Sequence, residues 1–145
     1  MLKMRNFIYL SFLGLRNLPK TLCVLDLYCC NNITNDGFKD LPPKLQNLAL
    51  WGLKVNYVAF QNLPNNMDSL SLSNLQITDQ DLLYLPKSLR SLSIRNCKFI
   101  SPAAFPFLPK SLEDLEIIDC SITQQEVLEF LSSNRNNERV KKIKI

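Results

Sequence analysis

The chain has 145 residues, of which 27 are Leu, 15 are Asn, 3 are Gly and none is His; the length suits one domain and leaves little room for two. Hydrophobic residues make up 46% and charged residues 21%, so the chain can build a core and does not read as disordered. The missing histidine excludes Ser-His and Cys-His nucleophile pairs, and the isolated Gly14, Gly37 and Gly52 form no phosphate-cradling loop. The net charge of +4 arises near the end, where Arg135, Arg139, Lys141, Lys142 and Lys144 face only Glu138; 12 basic and 12 acidic residues precede them. A nucleic-acid surface would carry basic residues along a whole face with aromatics between them, so no nucleic-acid partner is expected. No segment approaches the run of about 18 apolar residues that a membrane span requires.

Five cysteines (Cys23, Cys29, Cys30, Cys97, Cys120) are odd in number and contain no C-x-x-C pair. That argues against a metal site and against a disulfide framework, and for reduced, mostly buried thiols in a cytoplasmic protein. No cofactor is expected. Asn32-Ile33-Thr34 fits the N-glycosylation pattern, but one match in an Asn-rich chain carries little weight.

In chain order, Met1 to Asn6 is basic and Phe7 to Leu15 mostly apolar, which resembles a short signal sequence. Only Arg16-Asn17-Leu18-Pro19 stands where a small-x-small cleavage site belongs. Leu2, Met4, Phe7 and Tyr9 also match core positions of the repeat that follows, so a partial repeat is the better reading. Leu-Pro then recurs at 18, 41, 63, 85 and 108, at spacings of 23, 22, 22 and 23. After each comes a polar turn and the pattern apolar-x-x-Leu-x-apolar. The copies are Leu22, Leu25, Leu27; Leu45, Leu48, Leu50; Met67, Leu70, Leu72; Leu89, Leu92, Ile94; and Leu112, Leu115, Ile117. Three residues on stands Cys30, Leu53, Leu75, Cys97 or Cys120. Two further is Val55, Ile77, Phe99 or Ile122, with one extra residue needed to reach Ile33. The period-two core predicts a short strand with one buried face.

Helix starts follow the strands. Ser101-Pro102 supplies a cap and a first-turn proline, Thr123-Gln-Gln-Glu126 is a capping box, and Thr78 with Asp79 and Asp81 is a weaker version. Apolar residues continue at helical spacing, as in Leu82, Leu83, Leu85 and Val127, Leu128, Phe130, Leu131. Leu-Pro ends each such segment. Val140-Lys-Lys-Ile143-Lys-Ile145 predicts a last strand whose lysines protect its edge.

The pattern L-x-x-L-x-L-x-x-(C/L/N)-x-L resembles the leucine-rich repeat family over nearly the whole chain. Cys30-Asn-Asn-Ile33-Thr34 and Cys120-Ser-Ile122-Thr123 resemble its cysteine-containing subclass, although Cys or Leu replaces the Asn that many relatives carry at the ninth position. The subclass implies the substrate-binding part of F-box-type adaptors. The phrase Leu-Pro-Lys-Ser-Leu, at 85 to 89 and 108 to 112, resembles repeat domains of bacterial effectors and of amoebal proteins. The expected fold is α/β: a right-handed leucine-rich repeat solenoid of one domain over 1–145. About five full repeats at 18–130 are expected with partial ones at both ends, a parallel sheet on the concave face and short helices on the convex face.

Function is then expected at the outward strand positions. One column reads Arg5, Tyr28, Trp51, Ser73, Arg95, Ile118 and another Lys3, Asp26, Ala49, Ser71, Ser93, Glu116, Lys144, with Asn47, Ser69, Ser91 and Asp114 alongside. Tyr, Trp and Arg dominate interface hot spots, so Tyr28, Trp51 and Arg95 are the leading partner-binding candidates, with Ser71, Ser93 and Glu116 beside them. The acidic group Glu113, Asp114, Glu116, Asp119 lacks the burial of a catalytic dyad and the spacing of a metal site. Cys30, Cys97 and Cys120 read as small buried hydrophobes, and Cys23 and Cys29 have no basic neighbour that would activate them. The expectation is a non-enzymatic module that binds a protein partner on the concave face, in the setting of a secreted bacterial effector in a host cytosol. The alternative is the substrate-recognition part of a ubiquitin-ligase adaptor, whose F-box-like segment these residues do not contain. A dimer through an uncapped end stays open.

Overall fold

Each repeat core alternates buried and half-buried residues, as only an extended segment with one covered face does. The computed structural model describes residues 1–5, 15–133 and 142–144. Its strands are β1 (Leu2–Arg5), β2 (Val24–Tyr28), β3 (Asn47–Trp51), β4 (Ser69–Ser73), β5 (Ser91–Arg95), β6 (Asp114–Ile118) and β7 (Lys142–Lys144). They form one 7-stranded sheet in sequential order, parallel at every step. Parallel neighbours need a crossover, and the right-handed one packs back onto the sheet. The result is the expected right-handed α/β leucine-rich repeat solenoid. Phe7, Tyr9, Val140, Lys141 and Ile145 fall outside the described residues, as do the side chains of residues 3–5, 131, 133 and 142–144.

The leucines form columns. Leu25, Leu48, Leu70, Leu92 and Leu115 align in register, as do Leu27, Leu50, Leu72, Ile94 and Ile117, and all are buried. Phe38, Ala59, Phe60, Leu82, Ala104 and Phe105, from the opposite side of the repeat, close the core.

The helical side is tighter than expected. Asn35–Asp40, Asp79–Tyr84 and Pro102–Phe107 are 3₁₀ helices; among the described residues α-helix is found at Leu15 and Arg16, Tyr57–Phe60 and Gln124–Ser133. A 22- or 23-residue repeat leaves about two turns between cap and proline, a length suited to 3₁₀ geometry. Each 3₁₀ segment ends on the leucine before a proline: Leu41, Leu85 and Leu108 have ψ of 143°, 144° and 141°. The proline ring excludes the helical region for that residue. In 3₁₀ geometry Leu82 and Leu85 share the inner face, so Leu83 turns outward and is 45% exposed; Leu128 likewise faces away from the core.

One core position needs correction. Phe99 is 61% exposed, and its neighbour Ile100 fills the core at 0%. The two repeats of 23 residues, from Leu18 and from Leu85, each carry their extra residue here. Ile33 N–H donates to the Cys30 carbonyl and Ile100 N–H to the Cys97 carbonyl, the same three-residue turn in both.

Polar groups fasten successive rungs. In the Leu-Pro-Lys-Ser-Leu phrases, Ser88 Oγ donates to the Met67 carbonyl (2.6 Å) and Ser111 Oγ to the Leu89 carbonyl (2.6 Å). Asp79 accepts from the Ser101 N–H (2.8 Å) and hydroxyl (2.6 Å) of the next repeat. Asp81, 6% exposed, accepts from its own cap residue Thr78 and from the Tyr57 N–H of the preceding repeat at 2.8 Å. The last helix has its expected box: Glu126 accepts from the Thr123 N–H and hydroxyl, and Thr123 Oγ1 accepts from the Glu126 N–H. Those two donors, the N–H first, hold the Glu126 carboxyl below the usual carboxylate range; the cap is intact above that range and weakens as pH falls through the lowered value.

Directly after each inner strand the chain enters the left-handed region: Cys29 (φ 51°), Gly52 (62°), Asn74 (53°), Asn96 (53°) and Asp119 (52°). Gly, Asn and Asp tolerate this region best, which accounts for part of the asparagine content. The N–H groups of Cys29, Gly52, Asn74 and Asn96 then reach the last strand carbonyl of the next repeat at 2.8–3.0 Å. A Cβ at Gly52 would lie 3.2 Å from Cys29 Sγ. Gly52→Ala is therefore expected to lower stability by about 1–2 kcal/mol, measured by urea unfolding.

Candidate functional site

Alternate strand residues point away from the core, and the parallel register stacks them into columns. Arg5, Tyr28, Trp51, Ser73, Arg95 and Ile118 are successive partners; so are Lys3, Asp26, Ala49, Ser71, Ser93, Glu116 and Lys144. Tyr28 and Trp51 meet, with ring centroids 4.7 Å apart and planes at 53°. Trp51 is 45% exposed, an unusual state for the most costly apolar side chain to leave in water. Asp26 stands two residues before Tyr28, and Ala49 is its partner across the strands. Because Ala49 is short, Asp26, Leu27, Tyr28, Ala49 and Trp51 enclose a groove of about 350 Å³.

Beyond this groove the floor is serine. Ser69, Ser71, Ser91 and Ser93 are half-buried, and Ser73, between Trp51 and Arg95 in register, is 8% exposed. Past the serines lies a charged cluster. Arg95 Nε donates to Glu116 Oε2 at 2.8 Å and to Ser93 Oγ at 3.2 Å, Arg95 Nη2 bonds the same carboxylate oxygen, and Ser93 Oγ donates to it at 2.8 Å. Of the six site residues named from the sequence, Tyr28 pairs with Trp51 and Arg95 with Ser93 and Glu116, and Ser71 lies on the floor between the two groups. The sequence placed Asp26 and Ala49 in their column without marking them; the signal was the small residue in register beside an acid and next to an aromatic pair.

The acidic group disperses. Glu116 is tied to Arg95, and Glu113 lies 3.7 Å from Arg90. Asp119 is an exposed turn residue whose carbonyl accepts from Lys98 Nζ, and Asp114 and Glu116 have Lys142 and Lys144 as register partners. Among the described residues no group of three or more His, Cys, Asp or Glu side chains is arranged to hold a metal ion, and no helix is long and apolar enough to cross a membrane.

Cys30 and Cys97 are fully buried and Cys120 partly so, while Cys23 is exposed. Burial pushes the Cys97 thiol from its ordinary 9.0 up to about 11, and burial raises Cys120 as well. Ellman's reagent at pH 8 is expected to modify Cys23 rapidly and Cys30 and Cys97 only after denaturation. The same burial sets an alkaline limit: above pH 9 the unfolded Cys97 thiol ionises while the folded one stays protonated until about pH 11, so stability falls with rising pH across that window.

Convex and rim features complete the surface. Tyr57 and Tyr84, 43% and 41% exposed, meet on the helical side with tilted rings whose centroids are 5.2 Å apart. A second groove of about 440 Å³ runs past the strand ends, with Lys54, Gln76, Asn96, Lys98 and Phe99 among its walls.

No family model and no curated protein matches the chain. Among solved structures the chain is similar in fold to the leucine-rich repeat-containing protein LegL7 from Legionella pneumophila, with a TM-score of 0.50 at 13% sequence identity. The match covers 98% of this chain and 63% of LegL7, so the chain spans less than two thirds of that protein's length.

Proposed function

We propose that the chain is a non-enzymatic protein-interaction module that seats a protein partner on the outward face of its sheet, over Tyr28, Trp51, Ser71, Ser93 and the Arg95–Glu116 pair. The observation that carries this reading is the tilted Tyr28–Trp51 ring pair on adjacent strands, with Tyr28 half-buried and Trp51 exposed. Aromatic anchors held on a hydrogen-bonded sheet lose little conformational freedom on binding, so less of their interaction energy is lost to ordering. The serine floor beside them admits a partner's side chains without collision. As setting we propose a secreted bacterial effector acting in a host cytosol. Its support is the Leu-Pro-Lys-Ser-Leu phrase and the bacterial source of LegL7, and the serines of that phrase also fasten neighbouring rungs.

The test is affinity capture from host-cell lysates with three proteins: wild type, Tyr28→Ala/Trp51→Ala, and the convex control Tyr57→Ala/Tyr84→Ala. Proteins captured by wild type and by the control, and lost from the first variant, are the expected result. Equal capture by all three contradicts the placement of the binding face.

A further inference from the structure

We infer that the rim groove past the strand ends binds an extended acidic segment of a protein, with two carboxylates three residues apart seated on Lys54 and Lys98. This surface is separate from the outward strand face, and the inference does not depend on that reading. The repeat builds the groove from two exposed columns. The left-handed residues after the strands supply the first, with Gly52, Asn74 and Asn96 in successive repeats. Two residues later stand Lys54, Gln76 and Lys98, all exposed, each three residues past the register partners Trp51, Ser73 and Arg95. Leu53 and Leu75, between the columns, are buried and form the floor of a space of about 440 Å³. Phe99, 61% exposed, adds an apolar wall beside Lys98.

The charge of the groove points to an anion. Lys54 and Lys98 are the charged residues among its walls, and both are positive. Among the described residues Lys54 makes no ion pair or hydrogen bond. Lys98 Nζ donates to the Asp119 carbonyl at 3.2 Å, which leaves two of its three N–H donors. The Asp119 side chain lies one rung beyond Asn96 in the first column and is not among the walls. The side-chain amides of Asn74, Gln76 and Asn96 also have no partner among the described residues, and each offers two donors and an acceptor.

Spacing selects the form of the ligand. Strands lie about 4.8 Å apart, so Lys54 and Lys98, two rungs apart, are separated by roughly 10 Å at the backbone. A polyproline II segment rises about 3.1 Å per residue with three residues per turn, which places residues i and i+3 on one side about 9 Å apart. In a β-strand those two residues point to opposite faces, and in an α-helix they are separated by only about 4.5 Å along the axis. A polyproline II segment has no internal hydrogen bonds, so its carbonyls are available to the amides of Asn74, Gln76 and Asn96. Proline at the two intervening positions holds this form and offers apolar rings to Phe99.

The probes are Glu-Pro-Pro-Glu, its isomer Glu-Glu-Pro-Pro, neutral Gln-Pro-Pro-Gln and a short oligothymidylate, each carrying the same uncharged dye and titrated by fluorescence anisotropy at low salt. Glu-Pro-Pro-Glu is expected to bind about tenfold tighter than Gln-Pro-Pro-Gln, the scale of two exposed ion pairs, and severalfold tighter than its isomer. Added salt is expected to remove the first difference. Lys54→Gln, at an exposed position without bonds to the rest of the described chain, is expected to weaken Glu-Pro-Pro-Glu about threefold and leave Gln-Pro-Pro-Gln and the melting temperature unchanged. Lys98→Gln is expected to weaken the acidic peptide similarly, with a lower melting temperature because the Asp119 link is lost. Tyr28→Ala/Trp51→Ala is expected to bind every probe as wild type does. Equal binding of the acidic and neutral peptides, equal binding of the two isomers, a Lys54→Gln variant that binds as wild type does, or tighter binding of the oligothymidylate would each overturn the inference. Loss of the acidic peptide from Tyr28→Ala/Trp51→Ala would move the segment to the sheet face and overturn it as well. Failure of the peptide tests with capture still lost from Tyr28→Ala/Trp51→Ala removes the rim site and leaves the outward binding face.

Discussion

Leu70→Ala is expected to lower the free energy of unfolding by roughly 2–5 kcal/mol, because it empties a fully packed position at the centre of the ladder. Leu70 is 0% exposed, and its register partners Leu48 and Leu92 are equally enclosed. A rung in a solenoid is held by its neighbours, so the cavity weakens two interfaces at once. The adjacent residue provides the internal control. Ser71 points to the other face of the same strand, and Ser71→Ala should change stability by no more than about 0.5 kcal/mol. Urea unfolding of the two variants measures the contrast. Similar small changes would mean that the strand is not alternating as described.

Asp81→Ala is the second large effect, expected at roughly 1–3 kcal/mol. The side chain is 6% exposed, and its carboxylate accepts from the Tyr57 N–H, the Thr78 N–H and the Thr78 hydroxyl. Alanine strips these donors of their partner and uncouples the 3₁₀ segment Asp79–Tyr84 from the preceding rung. Asp81→Asn keeps one carbonyl oxygen but places an N–H among donors, so its loss should be intermediate. Asp79→Ala removes the corresponding link to Ser101 from a more exposed position and should cost less than Asp81→Ala. Thermal melts of the three variants rank them; Asp79→Ala as the most destabilised would contradict this account of the convex side.

The regular part of this architecture was legible because it depends on spacing alone. Leu-Pro at 18, 41, 63, 85 and 108 marks where each helical segment stops, and the period-two core that follows aligns Tyr28 with Trp51 and Ser93 with Glu116. Phe99 and Ile100 show the limit of that reading. Two adjacent apolar residues competed for one position, and the choice depended on where the 23-residue repeats hold their extra residue. The 3₁₀ character was not legible either, since caps and prolines are the same for both helix types, and the same cap-to-proline distance holds α-helix at Tyr57–Phe60 and 3₁₀ helix in the neighbouring repeats.

Contacts between rungs were hidden for a different reason. Arg95 finds Glu116 at a separation of 21 residues, and Asp81 finds Tyr57 at 24. Neither pair has a local motif, so each needs the stacking register before it can be seen. Asn74 and Asn96 are similar: their left-handed conformation becomes apparent only when the repeats are aligned and Gly52 is found in the same column. The columns of the outward strand positions were therefore legible from the spacing, while their bonding, including the internal occupation of Arg95, came from the structure.

The most direct measurement of the central claim, that the outward face of the sheet is where a partner lies, is site-specific photo-cross-linking. A benzophenone side chain is placed in turn at Asn47 and Ser91, on outward strand positions, and at Tyr84, on the helical side. Irradiation with the captured partner is expected to give adducts from positions 47 and 91 and none from position 84. Adducts from position 84 alone, or equally from all three, would contradict it.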